Sequence, residues 1–237
     1  MARIPGLFVP VLCLLIAVAG CASAGGDHAL SLGGYDASEG VYSARAPSRE
    51  SPERELSECL FRVAGQVSLR KSVSVRVVET PVSAADGTRL TRSQVLLDYD
   101  QSNSMAILDT LTVLRVVRGE TGTEAVVRAR PSRGMRVPSV NPSDSVRSDG
   151  NPDWVSRPPK GSGFVSAVGS IALEASSADA YSYADMNAIG ALARSVAKPT
   201  ASGASRVYEA TLKGVFVARR WYNTREGRWY SLAILPR

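Results

Sequence analysis

Histidine is nearly missing from this chain: among 237 residues the one example is His28. A histidine base inside a folded unit, or a metal site built from several imidazoles, is thereby excluded from almost all of the sequence. Cysteine is scarce too, with Cys13, Cys21 and Cys59, too few for a disulfide framework or a thiolate metal cage. Lysine supplies only Lys71, Lys160, Lys198 and Lys213 of the 28 basic side chains. Arginine at planar hydrogen-bonded contacts accounts for that bias, and GC-rich codon use accounts for it equally well. Aromatic residues make up 6%. The apolar run from Leu7 to Val18 falls short of the ~20 residues that a membrane-spanning helix needs.

What is present is ordinary for a folded protein, 44% hydrophobic and 21% charged with a net charge of +6, and argues against wholesale disorder or a fibrous repeat. The start is more particular. A short basic opening, the apolar stretch and small residues after it have the layout of a secretory signal. Val18-Ala19-Gly20-Cys21 resembles the bacterial lipobox, in which an aliphatic and two small residues precede a cysteine. That resemblance makes residues 1–20 a lipoprotein signal peptide and Cys21 the lipidated first residue of the mature chain. Several acyl chains at ~0.8 kcal/mol per buried methylene would anchor it stably. Ala22 rather than an aspartate follows, so the expected address is the cell outer membrane, with the folded part facing the periplasm or the surface. Cys59 is then a lone thiol, read as a small buried hydrophobe or, in an oxidising compartment, a partner for another chain.

Residues 21–50 are rich in Gly, Ala and Ser and read as a flexible tether, with His28 inside it. Residues 131–153 carry Pro131, Pro138, Pro142 and Pro152 with Gly134 and Gly150, a density that no helix or central strand survives. This Pro/Gly-rich linker divides an N-terminal unit, 51–130, from a C-terminal one, 154–237. In the latter, Phe164 to Ser170 reads as a strand. A helix is expected to start at Ser176-Ser177-Ala178-Asp179 and to carry Ala184, Ala188, Leu192 and Val196 at i+4 spacing. Val207 to Tyr222 reads as one strand, joined through Asn223 to Gly227 to a partner strand, Arg228 to Leu235. The N-terminal unit echoes this as a diverged repeat. A helix is predicted over Pro52 to Val67, a strand over Val73 to Val78, and a hairpin turns at Gly119 to Gly122. The fold class is α/β of the α+β type: one or two small modules, each an antiparallel sheet with one packed helix, in the order strand–helix–strand–strand.

Trp154-Val155, Pro158-Pro159, Gly163-Phe164-Val165 and Ala167-Val168-Gly169 resemble the opening of the Lpp-twenty family of bacterial envelope lipoproteins. Ala191-Leu192-Ala193-Arg194, Trp221 and Glu226-Gly227-Arg228-Trp229-Tyr230-Ser231-Leu232 fit its helix end and closing hairpin. The resemblance covers residues 154–236. It implies a small α/β module and a role as an outer-membrane lipoprotein or surface antigen, in some relatives as a component of the flagellar basal body. The family supplies no catalytic residue.

Three constellations bear on chemistry. Ser68-Leu69-Arg70-Lys71 has the S-x-x-K spacing of penicillin-binding enzymes but lacks the S-D-N and K-T-G companions. Asp98, Asp100, Ser102, Ser104 and Asp109 follow a calcium-loop spacing, yet Asn103 stands at the turn glycine and Asp109 at the bidentate glutamate. The basic-aromatic set Arg219, Arg220, Trp221, Arg228 and Trp229 is the candidate partner-binding site, against the plainer reading that a hairpin must turn some arginines to solvent. Nucleic acid is not the expected partner outside the inner membrane. An envelope protein or an anionic envelope polymer such as peptidoglycan or lipopolysaccharide is, and the chain is a candidate homo-oligomer. No catalytic set, cofactor or metal is expected, and the protein is read as a non-enzymatic structural or assembly component of the envelope, or else as a binding module.

Overall fold

The computed structural model describes residues 40–120, 122–130, 138–173 and 179–237. The expected signal peptide over residues 1–20, Cys21 and His28 lie outside the described residues. The first half comprises β1 (Val41–Pro47), α1 (Pro52–Lys71), β2 (Val73–Ser83), β3 (Arg89–Asp98), α2 (Ser102–Leu108), β4 (Thr112–Gly119) and β5 (Gly122–Arg128). The second comprises α3 (Asp153–Ser156), β6 (Phe164–Ala172), α4 (Ala180–Val196), β7 (Thr200–Ser202), β8 (Ser205–Leu212), β9 (Phe216–Asn223) and β10 (Arg228–Pro236). Among the described residues the strands make three antiparallel sheets with helices packed on them, an α+β protein.

Local chemistry sets α1. Ser51 caps it by accepting the Arg54 amide, Pro52 opens it, Glu53 and Glu55 occupy its first turn, and Arg70 and Lys71 its last, each in the place the helix dipole favours. The helix buries Cys59, Val63, Ala64 and Val67 and runs one turn past the expected end at Val67. On β2, Val73, Val75 and Val77 point inward, between 0% and 2% exposed, as strict alternation predicts.

Two expectations need correction. The tether was expected to run to residue 50, but Val41–Pro47 is a strand paired with β5 along its whole length. Tyr42, Ala44 and Ala46 are buried; with two alanines on that face, local composition resembles a spacer, and the strand is set by its pairing with β5. The single strand expected over Val207 to Tyr222 is two. Gly214 sits at φ +79°, a conformation that glycine adopts without cost, and its amide donates to the Arg70 carbonyl at 2.8 Å. The chain therefore leaves one sheet as β8 and enters another as β9. The expected helix start at 176–178 lies outside the described residues; α4 begins at Ala180, and the Asp179 side chain makes no capping bond.

The halves share a topology. The strand orders β1-β5-β4 and β6-β10-β9 both place the first strand beside the last and the penultimate strand outside. Both penultimate strands bulge at the same place, where Leu114 is skipped in one register and Ala218 in the other, and an arginine follows each. Between the two sheets, β2 pairs with β8 in a four-stranded sheet, β3-β2-β8-β7, to which both halves contribute. Helix α4 lies between this sheet and β6–β10. Ile189 and Leu192 pack with Val73, Val75 and Val77, and full burial of such side chains stabilises by ~1.5–3 kcal/mol each. A Cβ on Gly169 would lie 2.0 Å from the Ala188 amide nitrogen, so the strand must carry glycine there. Trp154 joins a cluster with Cys59, Val63, Leu232 and Ile234, a core common to both halves. The part of the linker that is described, 138–153, is irregular yet anchored: Val146 and Pro152 form an isolated bridge, and Asn151 is buried.

Candidate functional site

The joint between the halves concentrates both polar chemistry and open volume. On α4, Tyr181 and Asp185 interrupt the alanine stripe one turn apart and face the sheet. The Asp185 carboxylate accepts from Arg220 of β9, at 3.1 Å from Nε and 2.8 Å from Nη2, and from the Ser231 hydroxyl at 2.6 Å. Arg220 Nη1 reaches across to the Ser43 carbonyl at 3.3 Å, and the guanidinium lies 4.8 Å above the Tyr181 ring. The Tyr181 hydroxyl accepts from the Arg45 amide at 3.1 Å and donates to the Arg45 carbonyl at 3.4 Å. Backbone groups on the free edge of β1, which an uncovered edge would leave exposed, are thus taken up by side chains of the other half. Burial is the largest single influence on the Arg220 guanidinium and pushes it down, but the Asp185 charge, the hydrogen bonds to that carboxylate and the nearby Tyr181 and Glu124 together outweigh it, and the net shift is upward. The pair lies largely out of solvent, with the Arg220 and Asp185 side chains 2% and 13% exposed.

Beside the pair a groove of about 470 Å³ opens between α1 and α4, lined by Tyr42, Phe61, Leu69, Tyr99, Met186 and Phe216 among others. Arg62 at its rim is held by Glu58 at 2.6 Å and by Asp179 at 2.7 Å. At the far end of α1, Glu55 is buried. Its carboxylate accepts from the Thr123 hydroxyl, from the Arg49 amide at 2.7 Å and from Arg118 at 3.1 Å. The Thr123 bond, the Arg49 amide and Arg118 together hold its carboxyl below the usual range despite burial.

The five residues expected to form a partner-binding hairpin face are not one face. Arg220 is 3% exposed and Trp229 is 0%, with the Trp229 ring 5.1 Å from Tyr222 and 6.3 Å from Tyr181. Strand alternation sends these two toward α4, so a partner cannot reach them on the folded protein. Arg219 is ion-paired with Asp144 at 3.2 Å. Arg228 donates to Ser170 at 3.2 Å and lies 3.9 Å from Glu226. Trp221 is half-buried, and its indole nitrogen has no hydrogen-bond partner among the described residues. Cys21, the residue expected to carry lipid, lies outside the described residues.

The weaker constellations resolve into structural contacts. Ser68 donates to the Asp100 carbonyl at 2.6 Å. The Asp100 carboxylate turns back onto α2, accepting from the Ser102 amide at 3.0 Å, the Ser102 hydroxyl at 2.6 Å and Asn103. Among the described residues no group of three or more His, Cys, Asp or Glu side chains is placed to hold a metal ion. Cys59 is buried and unpaired with another cysteine; burial pushes its thiol up to about 11. Sequence reasoning missed Asp185, Tyr181 and Ser43. A signal existed for the first two, since a tyrosine and an aspartate at i, i+4 spacing break an otherwise apolar face and need partners if buried.

No family model, curated protein or solved structure matches the chain. Among the described residues no helix is long and apolar enough to cross a membrane.

Proposed function

We propose that the chain is a non-enzymatic lipoprotein, anchored in the outer membrane through lipid on Cys21, that serves as a structural or assembly component of the cell envelope. Its address rests on Val18-Ala19-Gly20-Cys21, and the flagellar base is one setting that the Lpp-twenty resemblance implies. One observation carries the structural role: two like units are locked into one body. They share the sheet β3-β2-β8-β7, and Arg62–Asp179, Arg76–Glu209 and Arg194–Glu79 ion-pair across the joint at 2.7, 3.3 and 3.4 Å. Such construction suits a load-bearing or spacing part.

Cell fractionation tests the anchor: Cys21→Ser releases the protein from membranes, and continued tight association refutes the lipid. Analytical ultracentrifugation of the lipid-free protein tests the role, a structural component forming rings or large oligomers. The second reading is a periplasmic binding module, which the aromatic groove between α1 and α4 favours over the hairpin. It requires a monomer that retains an envelope ligand, and a monomer that retains nothing sinks both readings.

A further inference from the structure

The internal repeat gives β4 a counterpart in β9, and the two outer strands are treated differently. Matched at their bulges, Arg115 corresponds to Arg219 and Val116-Val117 to Arg220-Trp221. On β9 every second residue from Phe216 to Arg220 is buried, and the irregular segment before α3 lies against the strand. Asp144 of that segment sits on Arg219 at 3.2 Å, and Asn151 bonds Asn223 at 2.9 Å. No described element pairs with the outer edge of β4. Leu114, Val116 and Val117 are 43%, 44% and 48% exposed. Arg115, with its side chain 65% exposed, has Glu124 of the neighbouring strand 3.8 Å away. An outer strand eight residues long with exposed apolar side chains is a template for strand addition.

We propose that β4 docks an extended acidic segment of a partner protein. The segment pairs with the outer edge of the strand, lays apolar side chains over Val116 and Val117, and places a carboxylate on Arg115, as Asp144 does for Arg219 within the chain. Charge selects this occupant over a second copy. Thr112–Gly119 carries Arg115 and Arg118 and no acid, and Arg118 is already bonded to Glu55 at 3.1 Å, so a second β4 strand offers Arg115 no carboxylate and only further arginines. The proposal is independent of the membrane address, and it moves the docking surface from the C-terminal hairpin to the N-terminal one.

Fluorescence anisotropy on the full chain in detergent tests it. The probes are an eight-residue peptide of alternating valine and threonine carrying two aspartates, and the same peptide carrying two lysines. The aspartate peptide should bind at least about tenfold tighter and should slow amide exchange over residues 112–119. Arg115→Glu should reverse the preference, while Arg219→Glu, whose counterpart acid is internal, leaves it unchanged. Val117→Ser, an exposed change on the same strand, should weaken the aspartate peptide without altering the circular dichroism spectrum. Equal binding of the two peptides, binding of neither, or an unchanged preference in Arg115→Glu overturns the proposal. So does self-association of the wild-type chain that Val117→Ser abolishes, because the occupant is then a second copy.

Discussion

Asp185 on α4 and Arg220 on β9 form a two-point ion pair inside the protein, with side chains 13% and 2% exposed. Ser231 completes the carboxylate's bonds, and Ser43 of the opposite half accepts from the guanidinium. A helix, a strand and the edge of a second sheet therefore meet at one charge pair. Removing either member leaves the other charged and desolvated. Asp185→Ala or Arg220→Ala should each cost about 3–5 kcal/mol, measured by urea denaturation. The double variant Asp185→Leu with Arg220→Met should recover most of that loss, since an apolar replacement removes both charges together.

Glu55 makes stability depend on acid. Its carboxyl is held below the ordinary range, so the folded state favours the charged form. That contribution is complete above the unfolded value, near ~4.3, and is lost as pH falls through the lower folded value. Wild type should lose stability steadily on acidification below about pH 4. Glu55→Gln should be less stable at neutral pH and show a flatter acid limb in thermal melts recorded across pH.

Two glycines separate backbone clash from side-chain clash. A Cβ at Gly169 meets the Ala188 amide nitrogen at 2.0 Å, whereas one at Gly190 meets a Val95 methyl at 2.7 Å. Gly169→Ala must push α4 off the sheet and should reach or exceed the ~1–3 kcal/mol of ordinary overpacking. Gly190→Ala should cost less, because Val95 near the edge can yield. Calorimetric melting temperatures of the two variants decide the order.

Cys59 should be inert. Its thiol is buried and shifted up to about 11, and the thiolate is the reactive form. In the mature chain carrying Cys21→Ser, a disulfide reagent should label Cys59 at least about tenfold more slowly in buffer than in guanidinium. Equal rates would place the thiol at the surface.

Much of the fold was legible from local pattern. Val73, Val75 and Val77 announce a strand by alternation, Ser51-Pro52 with Glu53 and Glu55 announce a helix start, and the Ala184–Ala188–Leu192 stripe announces a buried helix face. These signals act over a few residues, and neighbouring chain cannot easily override them. The candidate site was less legible. Arg219, Arg220, Trp221, Arg228 and Trp229 stand together in sequence, but strand alternation turns Arg220 and Trp229 inward and leaves Arg219 and Arg228 to nearby acids. The chain between Val41 and Pro47 looked like spacer because its strand character comes from pairing with β5, more than seventy residues away.

The sequence by itself therefore determined the locally patterned elements such as α1, β2 and α4, the scarcity of histidine and cysteine that narrows the chemistry, and the lipobox-like Val18-Ala19-Gly20-Cys21 on which the proposed address depends. Only the tertiary structure decided that the halves share a sheet, that Arg220 and Asp185 are interior partners, and that among the described residues the irregular segment before α3 packs on β9 while no element pairs with the outer edge of β4. The physical reason is range. Propensity, capping and periodicity are set within a few residues, whereas burial and ion pairing are set by which distant segments the packed chain brings together.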